Sequence, residues 1–155
     1  MSYRILFVCT GNTCRSPMAE ALARASVERR GWNGVEVGSA GVAAAERAPA
    51  SPEVPVVLGE VGIGPVEHRS RPLTPELVEW ADAILVMSPS HRAAVEAWGG
   101  GDKVGLVTED LPGDDAGTAI LVPIGQGVDV YRATREQLRR AIEAFLVRIQ
   151  PLAQP

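Results

Sequence analysis

The sequence predicts an α/β protein of three layers, a four-stranded parallel sheet flanked by helices. Four short β-type runs alternate with helical stretches, a pattern that implies right-handed crossovers between parallel strands. The first run, Ile5-Leu6-Phe7-Val8, is apolar without alternation, as burial on both faces of a sheet produces. The 155 residues contain no repeat and no linker-like stretch, so one domain over 1–155 is expected.

The elements follow in order. Tyr3 to Cys9 reads as the first strand and ends at a Gly-containing loop. Ser16-Pro17 opens a helix, because proline at the first helical position loses no hydrogen bond, and Gly31 stops it. Val35 to Ser39 is a second strand, broken by Gly38-Ser39-Ala40-Gly41 into a loop lasting to about Pro52. A helix from Glu53 to Gly62 requires Pro55 to lie in its first turn. Thr74-Pro75 reads as cap and first residue of the next helix. Ala83 to Met87 is the third strand, Ser88-Pro89 begins a helix ending at Gly99-Gly100-Gly101, and Lys103 to Val107 is the fourth strand. Glu109 to Gly127, dense in Gly, Pro and Asp, reads as a long surface loop. Val128 to Gln150 is the clearest helix, with Tyr131, Leu138, Ile142, Phe145, Leu146 and Ile149 on one side.

Composition excludes several classes. With 46% hydrophobic and 22% charged residues the chain is ordinary for a globular protein. Its net charge of −4 argues against nucleic acid, whose binders carry a basic face. No stretch approaches the roughly 20 apolar residues of a membrane span, and no signal-peptide layout precedes the first strand, so a cytoplasmic protein, monomeric by default, is expected. The two cysteines share one short segment and point to chemistry in a reducing compartment.

That segment is Cys9-Thr10-Gly11-Asn12-Thr13-Cys14-Arg15-Ser16, placed where the first strand ends and a helix begins. Ligands of parallel sheets bind at such carboxyl ends. A loop of this length can curl its backbone N–H groups inward as an anion nest, with the positive end of the helix behind it. Arg15 supplies a planar fork matched to two phosphoryl oxygens. Nest, helix and Arg15 together favour a Cys9 thiolate, and the Ser16 hydroxyl can donate to the same sulfur. The expected chemistry is in-line attack by Cys9 on a phosphate ester or phosphoramidate, giving a phosphocysteine that water hydrolyses, with no metal and no cofactor.

From Val8 through Ala21 the sequence closely resembles the low-molecular-weight protein tyrosine phosphatase family, and the resemblance extends over nearly the whole chain through Ser39-Ala40-Gly41, His68, Leu73-Thr74, Ala81-Asp82 and the Tyr131 helix. It implies a Cys9 nucleophile, an Arg15 clamp, an Asn12 that shapes the loop, Ser39 and His68 supporting Asn12, and a phosphorylated protein or peptide as substrate. Thr13 stands where typical tyrosine phosphatases carry a bulky aliphatic residue and bacterial protein arginine phosphatases carry threonine. The loop resembles the latter, which favours phosphoarginine over phosphotyrosine. Cys14 has two readings, a small loop residue or a reversible disulfide partner of Cys9. His91 is expected to face solvent.

One position departs from the family pattern. Counting back without gaps from Tyr131 puts Val122-Pro123-Ile124 on the family's Asp-Pro-aromatic motif, so the general-acid position holds Val122. General acid catalysis is worth about a hundred- to ten-thousandfold, so weakened turnover is expected. Asp114, Asp115 and Asp129 are the neighbouring carboxylates that could substitute. The alternative is a pseudophosphatase that binds phosphate and barely turns over.

Overall fold

The computed structural model describes residues 2–153, with side chains as far as Gln150. Four parallel strands, β1 (Tyr3–Cys9), β2 (Val35–Gly41), β3 (Ala83–Val86) and β4 (Val104–Leu106), form one sheet in the order β2-β1-β3-β4. The chain leaves β1 for β2 on one side and later returns to lay β3 on the other. This reversal creates a crevice at the carboxyl end of β1, where Cys9 sits.

Alternation along β1 explains its continuous apolar sequence. Ile5, Phe7 and Cys9 pack on one face against α1 (Arg15–Arg29), α2 (Glu53–Gly59) and α5 (Val128–Ala153), through Met18, Leu22, Val57, Leu138 and Phe145. Leu6 and Val8 turn to the other face, against Val78 of α3 (Pro75–Trp80) and Val95 of α4 (Arg92–Ala97). Both faces are therefore covered, as parallel sheets require.

Several boundaries differ from expectation. β2 runs two residues past Ser39, because Gly38, Ser39, Ala40 and Gly41 keep register with Leu6, Phe7, Val8 and Cys9. Their small side chains fit a crowded edge: a Cβ on Gly38 would lie 2.8 Å from the Arg71 guanidinium. α2 stops at Gly59, three residues before the expected Gly62, which is itself in the left-handed region at φ 80°. The helix expected from Ser88 begins as a 3-10 turn at Pro89–His91 before becoming α4. The long loop contains a 3-10 turn at Gly113–Asp115. Thr74 does cap α3, accepting Leu77 N–H at 3.2 Å with Pro75 in the first turn.

An ion cluster joins the end of α2 to α5. Glu60 accepts from Arg132 and Arg135, and Arg135 also donates to the Val57 carbonyl at 2.9 Å. These hydrogen bonds hold the Glu60 carboxyl down at about 2. Among the described residues no helix is long and apolar enough to cross a membrane, and no group of three His, Cys, Asp or Glu side chains could hold a metal ion.

Candidate active site

β1 delivers Cys9, buried, into the crevice, and α1 begins six residues later with Arg15. Between them the loop curls so that Asn12 N–H points at Cys9 Sγ from 3.3 Å, while Ser16 Oγ lies 2.9 Å from the same sulfur. The curl requires Asn12 at φ 57°, the left-handed region that asparagine tolerates better than most non-glycine residues. Cys14, at the N-cap of α1, makes no side-chain capping bond to the helix.

Asn12 is held on every polar atom. Its Oδ1 accepts Arg71 N–H at 3.0 Å, its Nδ2 donates to Ser16 Oγ at 2.8 Å and Ser39 Oγ at 3.0 Å, and its carbonyl accepts from His68 Nε2 at 2.6 Å. Behind it, Ser39 donates to Glu20 Oε1 at 2.6 Å. Glu20 lies inside the sequence motif but had no expected role; its spacing from Ser16, one helical turn along α1, was the available signal.

Arg15 is 7% exposed and donates to the Ile120 carbonyl at 3.3 Å. Burial pulls its guanidinium below the usual value, and the sulfurs of Cys9 and Cys14 push back. Ile120 in turn donates its N–H to Met87 O, and Gln137 of α5 clamps the same strand of loop through Leu121 N and Ala119 O. Residues 119–121 are thus held by Met87, Arg15 and Gln137, and Val122 follows two residues beyond the carbonyl that Arg15 holds. Val122 is 56% exposed, with Leu121 and Ile124 exposed beside it.

Cys14 has its own set of contacts. Its sulfur lies 2.9 Å from Ser51 Oγ and 3.5 Å from the Tyr131 hydroxyl. Burial and the bond to Cys14 push Tyr131 up to about 12. Thr13 is half-buried, its carbonyl bonded to Ser51 N and its hydroxyl 3.9 Å from Cys14 Sγ.

His91 is a correction. It is 2% exposed rather than solvent-facing, because the 3-10 turn folds it back under the loop. Ser88 N–H donates to its Nδ1 at 3.2 Å, which puts the ring proton on Nε2, 2.9 Å from Thr10 Oγ1. Burial, with Arg15 nearby, drives its pKa down to about 4.

The three neighbouring carboxylates do not gather at the loop mouth as a group. Asp115 pairs with Arg140 at 3.1 Å, nine residues and therefore about 13 Å along α5 from Tyr131. Asp129 pairs with Arg132 at 2.8 Å, in the cluster around Glu60. Asp114 is exposed on the 3-10 turn beside Asp115.

A parallel sheet whose first strand ends in a buried cysteine, with a loop N–H aimed at its sulfur and a buried arginine feeling its charge, has the build of an anion site. The comparisons with known proteins agree. The chain belongs to the low molecular weight phosphotyrosine protein phosphatase family, whose model matches residues 4–154. It is 43% identical over 155 residues to a protein-arginine-phosphatase of Geobacillus stearothermophilus, covering 97% of this chain and 98% of the relative. A protein-arginine-phosphatase of Bacillus subtilis is 43% identical over 140 residues, covering 89% and 91%. Among solved structures, the YwlE arginine phosphatase of G. stearothermophilus superposes with a TM-score of 0.85 at 40% identity, covering 97% of this chain and 94% of that one. A low molecular weight protein tyrosine phosphatase from T. tengcongensis does so at 0.87 and 37% identity, covering 95% and 99%.

Proposed function

We propose that this chain is a cysteine-dependent protein phosphatase in which Cys9 attacks the phosphoryl group of a phosphorylated side chain, forms phosphocysteine, and releases phosphate slowly. The observation that carries the reading is Cys9 Sγ at the base of the loop, 3.3 Å from Asn12 N and 2.9 Å from Ser16 Oγ, within electrostatic reach of the buried Arg15 guanidinium. Thr10 to Arg15 contribute the cradle, Arg15 clamps two phosphoryl oxygens, and Ser39 and His68 hold Asn12 in place. Thr13 on the loop and the two arginine-phosphatase relatives favour phosphoarginine over phosphotyrosine. Val122 at the acid position slows both halves of the cycle, since the family's aspartate would protonate the leaving group and then activate water.

A phosphate-binding module with little turnover is the second reading, and Val122 is what favours it. Acid-quench trapping separates the two. The enzyme reading expects phosphocysteine at Cys9 within the first turnover and inorganic phosphate afterwards; phosphopeptide binding with neither product sinks it. For substrate choice, phosphoarginine and phosphotyrosine peptides are compared in Val122→Asp, then with Thr13→Ile added. An unchanged preference after the second substitution removes Thr13 from the argument.

A further inference from the structure

The run from Thr118 to Leu121 belongs to no strand or helix, yet its backbone groups find partners on both sides. Thr108 Oγ1 donates to Thr118 O at 2.6 Å, Ile120 N–H donates to Met87 O at 2.9 Å, and Arg15 Nη1 donates to Ile120 O at 3.3 Å. Ala119 O and Leu121 N–H have no neighbouring strand to meet. Gln137 of α5 takes that place, donating from Nε2 to Ala119 O and accepting Leu121 N–H at Oε1, each at 3.0 Å. A donor and an acceptor are needed at once, which one primary amide supplies; a carboxylate only accepts, and a hydrocarbon does neither.

The clamp matters because of what lies between its two bonds. Ile120 O falls between Ala119 O and Leu121 N along the chain, so fixing those two fixes the carbonyl that Arg15 holds. Arg15 is buried, and among the described residues its one hydrogen bond is made by Nη1. With Nη1 committed, the Nε–Nη2 edge is left, a planar fork matched to two phosphoryl oxygens. The same helix reaches the preceding loop residue through the Tyr131 hydroxyl, 3.5 Å from Cys14 Sγ.

We propose that Gln137 is a positioning residue for phosphoryl transfer: by holding residues 119–121 it seats the Ile120 carbonyl that aims Arg15, and so keeps the Nε–Nη2 fork turned to the phosphoryl group. The proposal rests on the Cys9 reading above and adds a residue whose described hydrogen bonds all go to the backbone of 119–121. A merely mechanical role for the same bonds would be to hold the exposed Leu121 and Val122 against the organic body of a substrate. Inorganic phosphate separates the two roles, because it engages the fork and has no organic body.

The test measures inorganic phosphate binding by calorimetry and phosphocysteine formation from phenyl phosphate by rapid quench. Both are done with the full chain and with Gln137→Met, which keeps the side-chain length and loses the hydrogen bonds. Phosphate affinity is expected to fall about five- to thirtyfold, the worth of one to two net hydrogen bonds, and the maximal rate of phosphocysteine formation to fall with it. In Arg15→Lys, which has no fork, adding Gln137→Met should weaken phosphate by less than about twofold, since the two residues act as one unit. Gln137→Ala repeats the comparison with a small side chain, so that a packing fault of methionine cannot imitate the result, and far-UV circular dichroism checks that each variant is folded. Unchanged phosphate affinity, with only the half-saturating concentration of phenyl phosphate raised, would overturn the proposal. Equal losses with and without Arg15→Lys would overturn it too. Phosphate binding without phosphocysteine in the parent would overturn the Cys9 reading and leave the Gln137 comparison to be decided by phosphate affinity; a parent that binds no phosphate would overturn both.

Discussion

Glu20 accepts the Ser39 hydroxyl proton at 2.6 Å, and together with the Arg71 N–H on Asn12 Oδ1 that bond sets the direction of the hydrogen bonds running to Cys9. With its proton committed to Glu20, Ser39 can only accept from Asn12 Nδ2. The other Nδ2 hydrogen goes to Ser16 Oγ, and Asn12 cannot flip because Oδ1 is held by Arg71 N–H. Ser16 therefore points its own proton at the Cys9 sulfur. Glu20→Ala frees Ser39 to donate and loosens the order of the chain. The phosphocysteine burst should slow roughly two- to tenfold, the worth of one net hydrogen bond, with far-UV circular dichroism unchanged. A burst equal to that of the parent would show that Glu20 orders nothing.

His91 makes stability depend on pH. The unfolded imidazole binds its proton near 6.5 and the folded one only near 4, so unfolding takes up a proton between these values. The contribution is fully present above about pH 6.5 and is lost as pH falls toward 4, on the order of 3 kcal/mol in total. Urea denaturation of the parent and of His91→Gln should show a stability difference that changes by this order between pH 7 and pH 4.5. A pH-independent difference would count against the buried neutral ring.

His91 also shows where the sequence is legible and where it is not. The loop from Cys9 to Ser16 is readable because its residues act within one turn of chain, and β1 because both of its faces are buried. The partners Ser39 and His68 were reachable only through resemblance, since they lie 27 and 56 residues from Asn12. The Thr10–His91 bond spans 81 residues and had no local mark; a lone histidine after Ser-Pro-Ser looks like a surface turn until β3 places it beside β1. The end of β2 is hidden in the sequence for a related reason. Gly38 to Gly41 has the composition of a loop, and only the neighbouring β1 and the segment at Arg71 make small residues necessary there.

Gly41 gives the next prediction. It pairs with Cys9 in register, and its N–H donates to Arg71 O at 3.0 Å. A Cβ at this position would press on the Thr10 carbonyl oxygen and come within 3.0 Å of Asn12 N, both backbone atoms of the loop. Neither can move without distorting the cradle. Gly41→Ala is expected to cost about 1–3 kcal/mol, as overpacking of a filled site does. The urea midpoint should fall and the phosphocysteine burst should drop with it; a burst retained at full rate would mean the loop yields without loss.

Tyr131 offers a test of how tightly α5 closes on the loop. Its hydroxyl is buried 3.5 Å from Cys14 Sγ, and burial first, then that bond, raise it from the ordinary 10 to about 12, against a smaller opposing pull from Ser51. Tyr3, the second of the two tyrosines, is raised as well, so the measurement is made in Tyr3→Phe. Absorbance at 295 nm after a millisecond pH jump should show tyrosinate appearing near pH 12 in the folded variant and near 10 in urea. Because the folded group holds its proton longer, its stabilising contribution is fully present below about pH 10 and is lost as pH rises toward 12. The folded variant should accordingly become easier to unfold across that interval. Tyrosinate forming at pH 10 in the folded variant would mean that water reaches the hydroxyl, and that α5 does not seal Cys14 from solvent.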